Sequence, residues 1–173
     1  MTAANNTGRV WKFGDNIDTD VLAPGLYMKS PLADLAKHCL EAVEPRFAKE
    51  VKPGDIVVGG RNFGMGSSRE QAVMALRELG VGAVVAPSFA GIFYRNALNL
   101  GLLALVCPEA GKIRADSVLV VDATSAELRD IETGKVYACE PLPGHLLQMI
   151  ADGGLLAHLE KKLKVQRSKE AQA

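Results

Sequence analysis

A chain of 173 residues, 48% hydrophobic and 23% charged, has room for one globular domain with a substantial core. Lysine plus arginine equals aspartate plus glutamate, so the formal net charge is zero and the basic surplus of a nucleic-acid-binding domain is missing. No apolar run reaches the ~18 residues that span a bilayer, and residues 1–8 are polar, without the apolar stretch of a signal peptide. Cys39, Cys107 and Cys139 are scattered and odd in number, which argues against a disulfide framework and against a self-contained zinc or iron–sulfur motif. The expectation is a cytoplasmic protein with reduced thiols, bound to neither nucleic acid nor membrane.

In chain order, the alternating run Arg9-Val10-Trp11-Lys12-Phe13 predicts a strand, and residues 14–20 predict a polar turn. Pro24-Gly25 marks a loop. Apolar spacing at Leu32, Leu35, Ala36 and Leu40 predicts a helix over residues 32–47 that Pro45 ends or interrupts. Residues 55–60 read as a buried strand, followed by the glycine-rich loop Arg61-Asn62-Phe63-Gly64-Met65-Gly66-Ser67-Ser68. An amphipathic helix carrying Ala72, Val73, Leu76 and Leu79 comes next and stops at Gly80, before a second buried strand over residues 81–86. This βαβ unit implies parallel strands. Ser88 is placed to cap a helix over residues 89–100, and residues 102–106 form a third strand. Residues 117–122, 127–132 and 135–140 predict short antiparallel strands, and residues 146–164 a helix broken at Gly153-Gly154. Residues 167–173 form a polar tail expected to fray. No repeat or linker divides the chain, so residues 1–173 are expected to be a single α/β domain with its core at about 8–165.

Three segments carry candidate chemistry. The glycine-rich loop lets backbone N–H groups converge before a helix N-terminus, and Arg69 adds a planar cation suited to a carboxylate. It is not a Walker A loop, because no lysine follows its last glycine. Ser67-Ser68-Arg69-Glu70 also fits a capping box, in which Ser67 caps the helix and Ser68 keeps the freer hydroxyl. Asp15, Asp18 and Asp20 could together hold a cation, or build an Asx-rich turn. Arg95, Asn96 and Asn99 interrupt an apolar helix either as a site or as an exposed stripe. His38, His145 and His158 have no motif partner.

Residues 14–20, 62–70 and 88–96, in that order, resemble segments of the small subunits of 3-isopropylmalate dehydratase, which correspond to the mobile fourth domain of aconitase. The resemblance runs from about Gly8 to about Cys107 and weakens beyond. It implies a swivelling β/β/α domain around a parallel βαβ core. It implies a large-subunit partner, in a heterodimer or heterotetramer, that carries a [4Fe–4S] cluster on its own cysteines, with no cofactor bound by this chain. The activity implied is interconversion of 2- and 3-isopropylmalate in leucine biosynthesis.

Carried over by position, Ser67 is the base that removes a proton from carbon and Asp15 the aspartate beside it. Arg69 grips a carboxylate, and Ser68 is a further substrate contact. A serine needs its alkoxide stabilised by N–H groups, a helix N-terminus and a cation to act as base. Met65 and Gln71 stand where the family often has Cys and His. Tyr27-Met28-Lys29-Ser30 falls in the loop that reads the substrate's variable group. There Lys29 either points to solvent or binds a more acidic di- or tricarboxylic acid. The alternatives are a related hydro-lyase of homoaconitate, dimethylmalate or citraconate type, or a stand-alone anion-binding module.

Overall fold

The structure, a computed structural model, describes residues 5–170. Residues 1–4, and the last three residues of the predicted tail, lie outside the described residues. The elements follow as β1 (Asn5–Lys12), α1 (Thr19–Leu22), α2 (Leu32–Ala36), α3 (Phe47–Glu50), β2 (Ile56–Val58), α4 (Glu70–Glu78), β3 (Ala83–Ala86) and α5 (Gly91–Asn99). Then come β4 (Leu103–Val106), β5 (Val118–Asp122), β6 (Glu127–Asp130), β7 (Val136–Ala138), α6 (Gly144–Ala151) and α7 (Leu155–Glu170).

The seven strands form one sheet in the order β4-β3-β2-β1-β5-β6-β7. From β1 to β4 the pairs are parallel, and from β1 through β5 and β6 to β7 they are antiparallel. Strand β1 serves both halves. Its residues 5–9 pair with β5 and its residues 10–12 with β2. Gly8 sits where a Cβ would lie 2.0 Å from the Gly54 carbonyl oxygen, so only glycine lets the strand pass that loop.

Alternation along the parallel strands feeds two cores. Trp11, Val57, Val84 and Ala104 face one cluster with Phe47, Phe63, Leu76 and Phe93. Val10, Ile56, Val58, Val85 and Leu105 face the other, with Leu119, Val121, Leu128, Tyr137 and Ile150. With both faces covered these strands read as continuous apolar runs. Each buried valine, leucine or isoleucine contributes about 1.5–3 kcal/mol of transfer free energy. Asp55 is a buried carboxylate, satisfied by the Trp11 indole N–H (3.0 Å) and the backbone N–H groups of Arg9 and Lys52 (3.1 and 2.9 Å).

The predicted strands all exist, most of them trimmed at their ends. The predicted helix over residues 32–47 does not. Its first turns form α2, and then Leu40 takes a left-handed φ of 61° and donates its N–H to the Val21 carbonyl (2.9 Å). Tertiary burial of Cys39 and Leu40 therefore overrides the helical spacing. The break at Gly153-Gly154 falls as expected between α6 and α7. Helix α7 runs on through residues 167–170 of the predicted tail.

At the α6–α7 junction Asp152 lies 2.6 Å from both His158 Nδ1 and Lys161 Nζ. The Lys161 bond first, then that of His158, lowers its carboxyl to about 2. No described helix is long and apolar enough to cross a membrane.

Candidate active site

Parallel strands send all their C-terminal connections to one edge of the sheet, where open α/β sheets bind ligands. Three loops meet there: residues 13–18 after β1, 59–69 after β2, and 87–90 after β3. Backbone hydrogen bonds stitch them together. Gly60 N–H donates to Gly14 O (2.9 Å), Asn16 N–H to Arg61 O (2.8 Å), Gly64 N–H to Ile17 O (2.8 Å) and Thr19 N–H to Met65 O (2.8 Å). Phe63 bonds both Ser88 and Ala90 through its backbone (3.0 and 2.9 Å). The three segments singled out from sequence are thus one structural unit, apart from the polar residues within α5.

Gly64 (φ +79°) could not carry a side chain, since a Cβ would lie 2.1 Å from the Phe93 ring. Gly66 (φ +99°) presses against the Asp18 carboxylate, where a Cβ would approach to 2.7 Å. These two turns deliver Ser67 and Ser68 to the surface, where both are exposed. The Ser67 carbonyl is pinned by the Arg69 N–H (2.8 Å) and the Thr19 hydroxyl (3.1 Å).

The capping box is not made. Helix α4 begins at Glu70 with Arg69 as its N-cap residue, and no side chain caps it. The turn between Ser67 O and Arg69 N starts the helix two residues too late for Ser67 to serve as cap. Its hydroxyl is therefore surplus to the local fold, at the positive end of a nine-residue helix. Ser88 likewise does not cap α5, whose N-cap residue is Ala90. Its hydroxyl accepts from the Asn62 N–H (2.9 Å), joining two of the site loops.

The three carboxylates of residues 15–20 do not converge on a cation. Asp18 caps α1 by accepting the Asp20 N–H (2.7 Å). Asp15 accepts from the Arg61 backbone N–H (2.7 Å) and from its guanidinium (2.9 and 3.1 Å), and these bonds, the backbone one first, lower its carboxyl below the ordinary range. Asp20 pairs with the Arg69 guanidinium, whose Nη1 also donates to the Ala23 carbonyl (3.0 Å). The structure thus puts Asp20 on Arg69 and Asp15 on Arg61. The sequence reading overlooked Asp20 and Arg61 as partners, although each lies inside a segment it singled out.

Lys29 is exposed, just past a short 3-10 turn at Gly25–Tyr27 in which Leu26 is 83% exposed. Tyr27 stacks on His38 with ring centroids 3.5 Å apart, and His38 Nδ1 contacts Glu41 (2.6 Å). Arg95 is exposed and Asn96 buried on α5. Among the described residues no group of three His, Cys, Asp or Glu side chains is placed to hold a metal ion.

Fold and site define the class as an α/β domain of the aconitase swivel type, and the family description Aconitase C-terminal domain matches residues 36–110. The 3-isopropylmalate dehydratase small subunit of Nautilia profundicola is 46% identical over 91% of this chain and 96% of its own length. The homoaconitase small subunit of Methanothermobacter thermautotrophicus is also 46% identical, over 90% of this chain and 91% of its own. A crystal structure of 3-isopropylmalate dehydratase from Methanocaldococcus jannaschii superposes with a TM-score of 0.90 at 40% identity, over 95% of this chain and 99% of that one. The chain belongs to the 3-isopropylmalate dehydratase small-subunit family.

Proposed function

We propose that this chain is the small subunit of a 3-isopropylmalate dehydratase. It would work in the cytoplasm as a single swivelling domain on a large subunit, in a heterodimer or heterotetramer, interconverting 2- and 3-isopropylmalate. The observation that carries this reading is the exposed Ser67 hydroxyl, free of any capping duty, on a rigid loop at the N-terminus of α4 beside Arg69. The cysteines of this chain do not fit an iron–sulfur cluster, since Cys39 lies in one core and Cys107 and Cys139 in the other, and among the described residues no three His, Cys, Asp or Glu side chains converge. The [4Fe–4S] cluster is assigned to the large subunit, where it supplies a Lewis acid for the substrate's hydroxyl and carboxylate.

On this reading Ser67 removes a proton from carbon during dehydration and returns it to the neighbouring position during hydration. The helix terminus and the Arg69 cation lower the cost of the serine alkoxide. Arg69 is held by Asp20 and Ala23 O at one edge and offers its remaining N–H groups to a substrate carboxylate. Ser68 adds a short hydroxyl contact. Asp15, clamped to Arg61, fixes the loop that presents Ser67. Leu26 and Lys29 border the side that reads the variable group, Leu26 suiting an isopropyl and Lys29 an extra carboxylate. Lys29, with the homoaconitase relative at equal identity, favours homoaconitate as the second reading.

The test is to purify the chain alone and again assembled with its large subunit, and to assay 2-isopropylmalate, homoaconitate, dimethylmalate and citraconate. The chain alone is expected to be folded, colourless and inactive, and the assembly fastest on 2-isopropylmalate. Turnover by the isolated chain would overturn the subunit reading. Faster turnover of homoaconitate would move the substrate to the second reading.

A further inference from the structure

Away from the site, Cys107 and Cys139 directly follow strands β4 and β7 and pack on the same apolar core, although they lie 32 positions apart in the chain. The Glu140 N–H donates to the Val106 carbonyl (2.8 Å), a rung that sets the residue before Glu140 beside the residue after Val106. Each cysteine's own N–H is tied down as well, Cys107 to Ala86 O (2.9 Å) and Cys139 to Ala126 O (2.8 Å), so the backbone on both sides is fixed. The two thiols are therefore neighbours, and both are reduced. Cys107 is fully buried, while Cys139 is partly exposed. Cys39 lies in the opposite core, fully buried.

We propose that Cys107 and Cys139 form a reversible dithiol–disulfide site, with Cys139 as the thiol that meets a low-molecular-weight disulfide and Cys107 as the resolving thiol. The Cys139 thiolate attacks one sulfur of the small disulfide, forming a mixed disulfide and releasing one small thiolate. The Cys107 thiolate then attacks the Cys139 sulfur, forming the intramolecular bond and releasing the second small thiolate. Two protein thiols are oxidised and one small disulfide is reduced to two thiols, which take up the two protons. The contact between them lowers the Cys107 thiol and, together with burial, raises that of Cys139, so it is exposure and not acidity that gives Cys139 the first attack, while burial keeps Cys107 from any partner but Cys139. The closed loop carries β5, β6 and β7 and would fasten the antiparallel half of the sheet to the end of β4.

The full chain is incubated with oxidised glutathione, blocked with an alkylating agent in denaturant, and weighed intact. The expected product has lost two hydrogen atoms, leaves only Cys39 alkylated, melts at a higher temperature than the reduced chain and reverts with dithiothreitol. Cys107→Ser should trap one glutathione on Cys139, and Cys139→Ser should leave the chain unmodified. A wild-type chain that keeps glutathione on Cys139 with Cys107 still alkylatable, or that does not react at all, overturns the proposal.

Discussion

The two halves of the sheet use their carboxylates in opposite ways. In the parallel half, Asp15 and Asp20 reach arginines 46 and 49 positions further along, on a different loop. In the antiparallel half, Asp122 accepts the N–H groups of Thr124 and Ser125 (2.9 and 3.1 Å), and Asp130 those of Glu132 and Thr133 (2.9 and 3.0 Å). The difference follows from strand direction. Parallel strands bring distant loops to one edge, so charges there meet strangers and build a site. Antiparallel hairpins return at once, and these two carboxylates accept first from the turns they stand in, with Arg114 adding a longer contact to Asp130 (3.8 Å).

That contrast can be broken from either side. The largest effect is expected at Ser67. Ser67→Gly in the assembled enzyme should lower kcat by roughly 10²–10⁴-fold, the range of a lost general base. Its melting temperature should stay near wild type, because Ser67 caps nothing. Near-normal kcat would move the base to Ser68 or to the large subunit.

Arg69→Lys keeps the charge but loses the fork. With a charged hydrogen bond worth about 1.5–3 kcal/mol, kcat/KM should drop at least about tenfold. Unchanged kinetics would remove Arg69 as the carboxylate ligand. Asp130→Ala is the mirror case, removing a nearly fully buried side chain that accepts two N–H groups of its turn. It should cost about 1–3 kcal/mol of stability, a shift of about 2–4 °C in Tm per kcal/mol for a chain of this size, with kcat unaltered. A catalytic defect there would blur the division between the halves.

The smallest effect belongs to Asp152, outside both halves. Its carboxyl is lowered from 3.8 to about 2 in the folded chain, so its contribution is complete above the unfolded value and lost as pH falls through the folded one. The Tm gap between wild type and Asp152→Asn should therefore narrow as pH drops from about 4 to about 2. A gap that stays constant over that range would exclude the linkage.

The sequence made the parallel core legible because Ile56, Val57 and Val58, and later Ala83 to Ala86, are buried on both faces and so carry uninterrupted apolar runs. Its reading of residues 32–47 failed at Leu40, where a contact with Val21, not local spacing, decides the backbone. The loop around Ser67 was legible as chemistry, and the capping box that it also fitted is the reading the structure removes, since the positive φ at Gly66, ahead of a helix that starts only at Glu70, has no signature beyond the glycine itself. The pairings Asp15–Arg61 and Asp20–Arg69 were invisible for a plainer reason. Three acidic residues in six positions are equivalent on paper, and only the meeting of loops after β1 and β2 tells them apart.

Strand β1 also imposes an order on the birth of this fold. It is made first, yet one of its edges waits for residues 56–58 and the other for residues 118–122. A nascent chain stopped anywhere before Asp122 holds a central strand with an open rim, the kind of surface that recruits other chains. The strand that unites the finished sheet is, during synthesis, its longest-standing exposure to aggregation, and folding rate should be governed by how quickly β5 finds it.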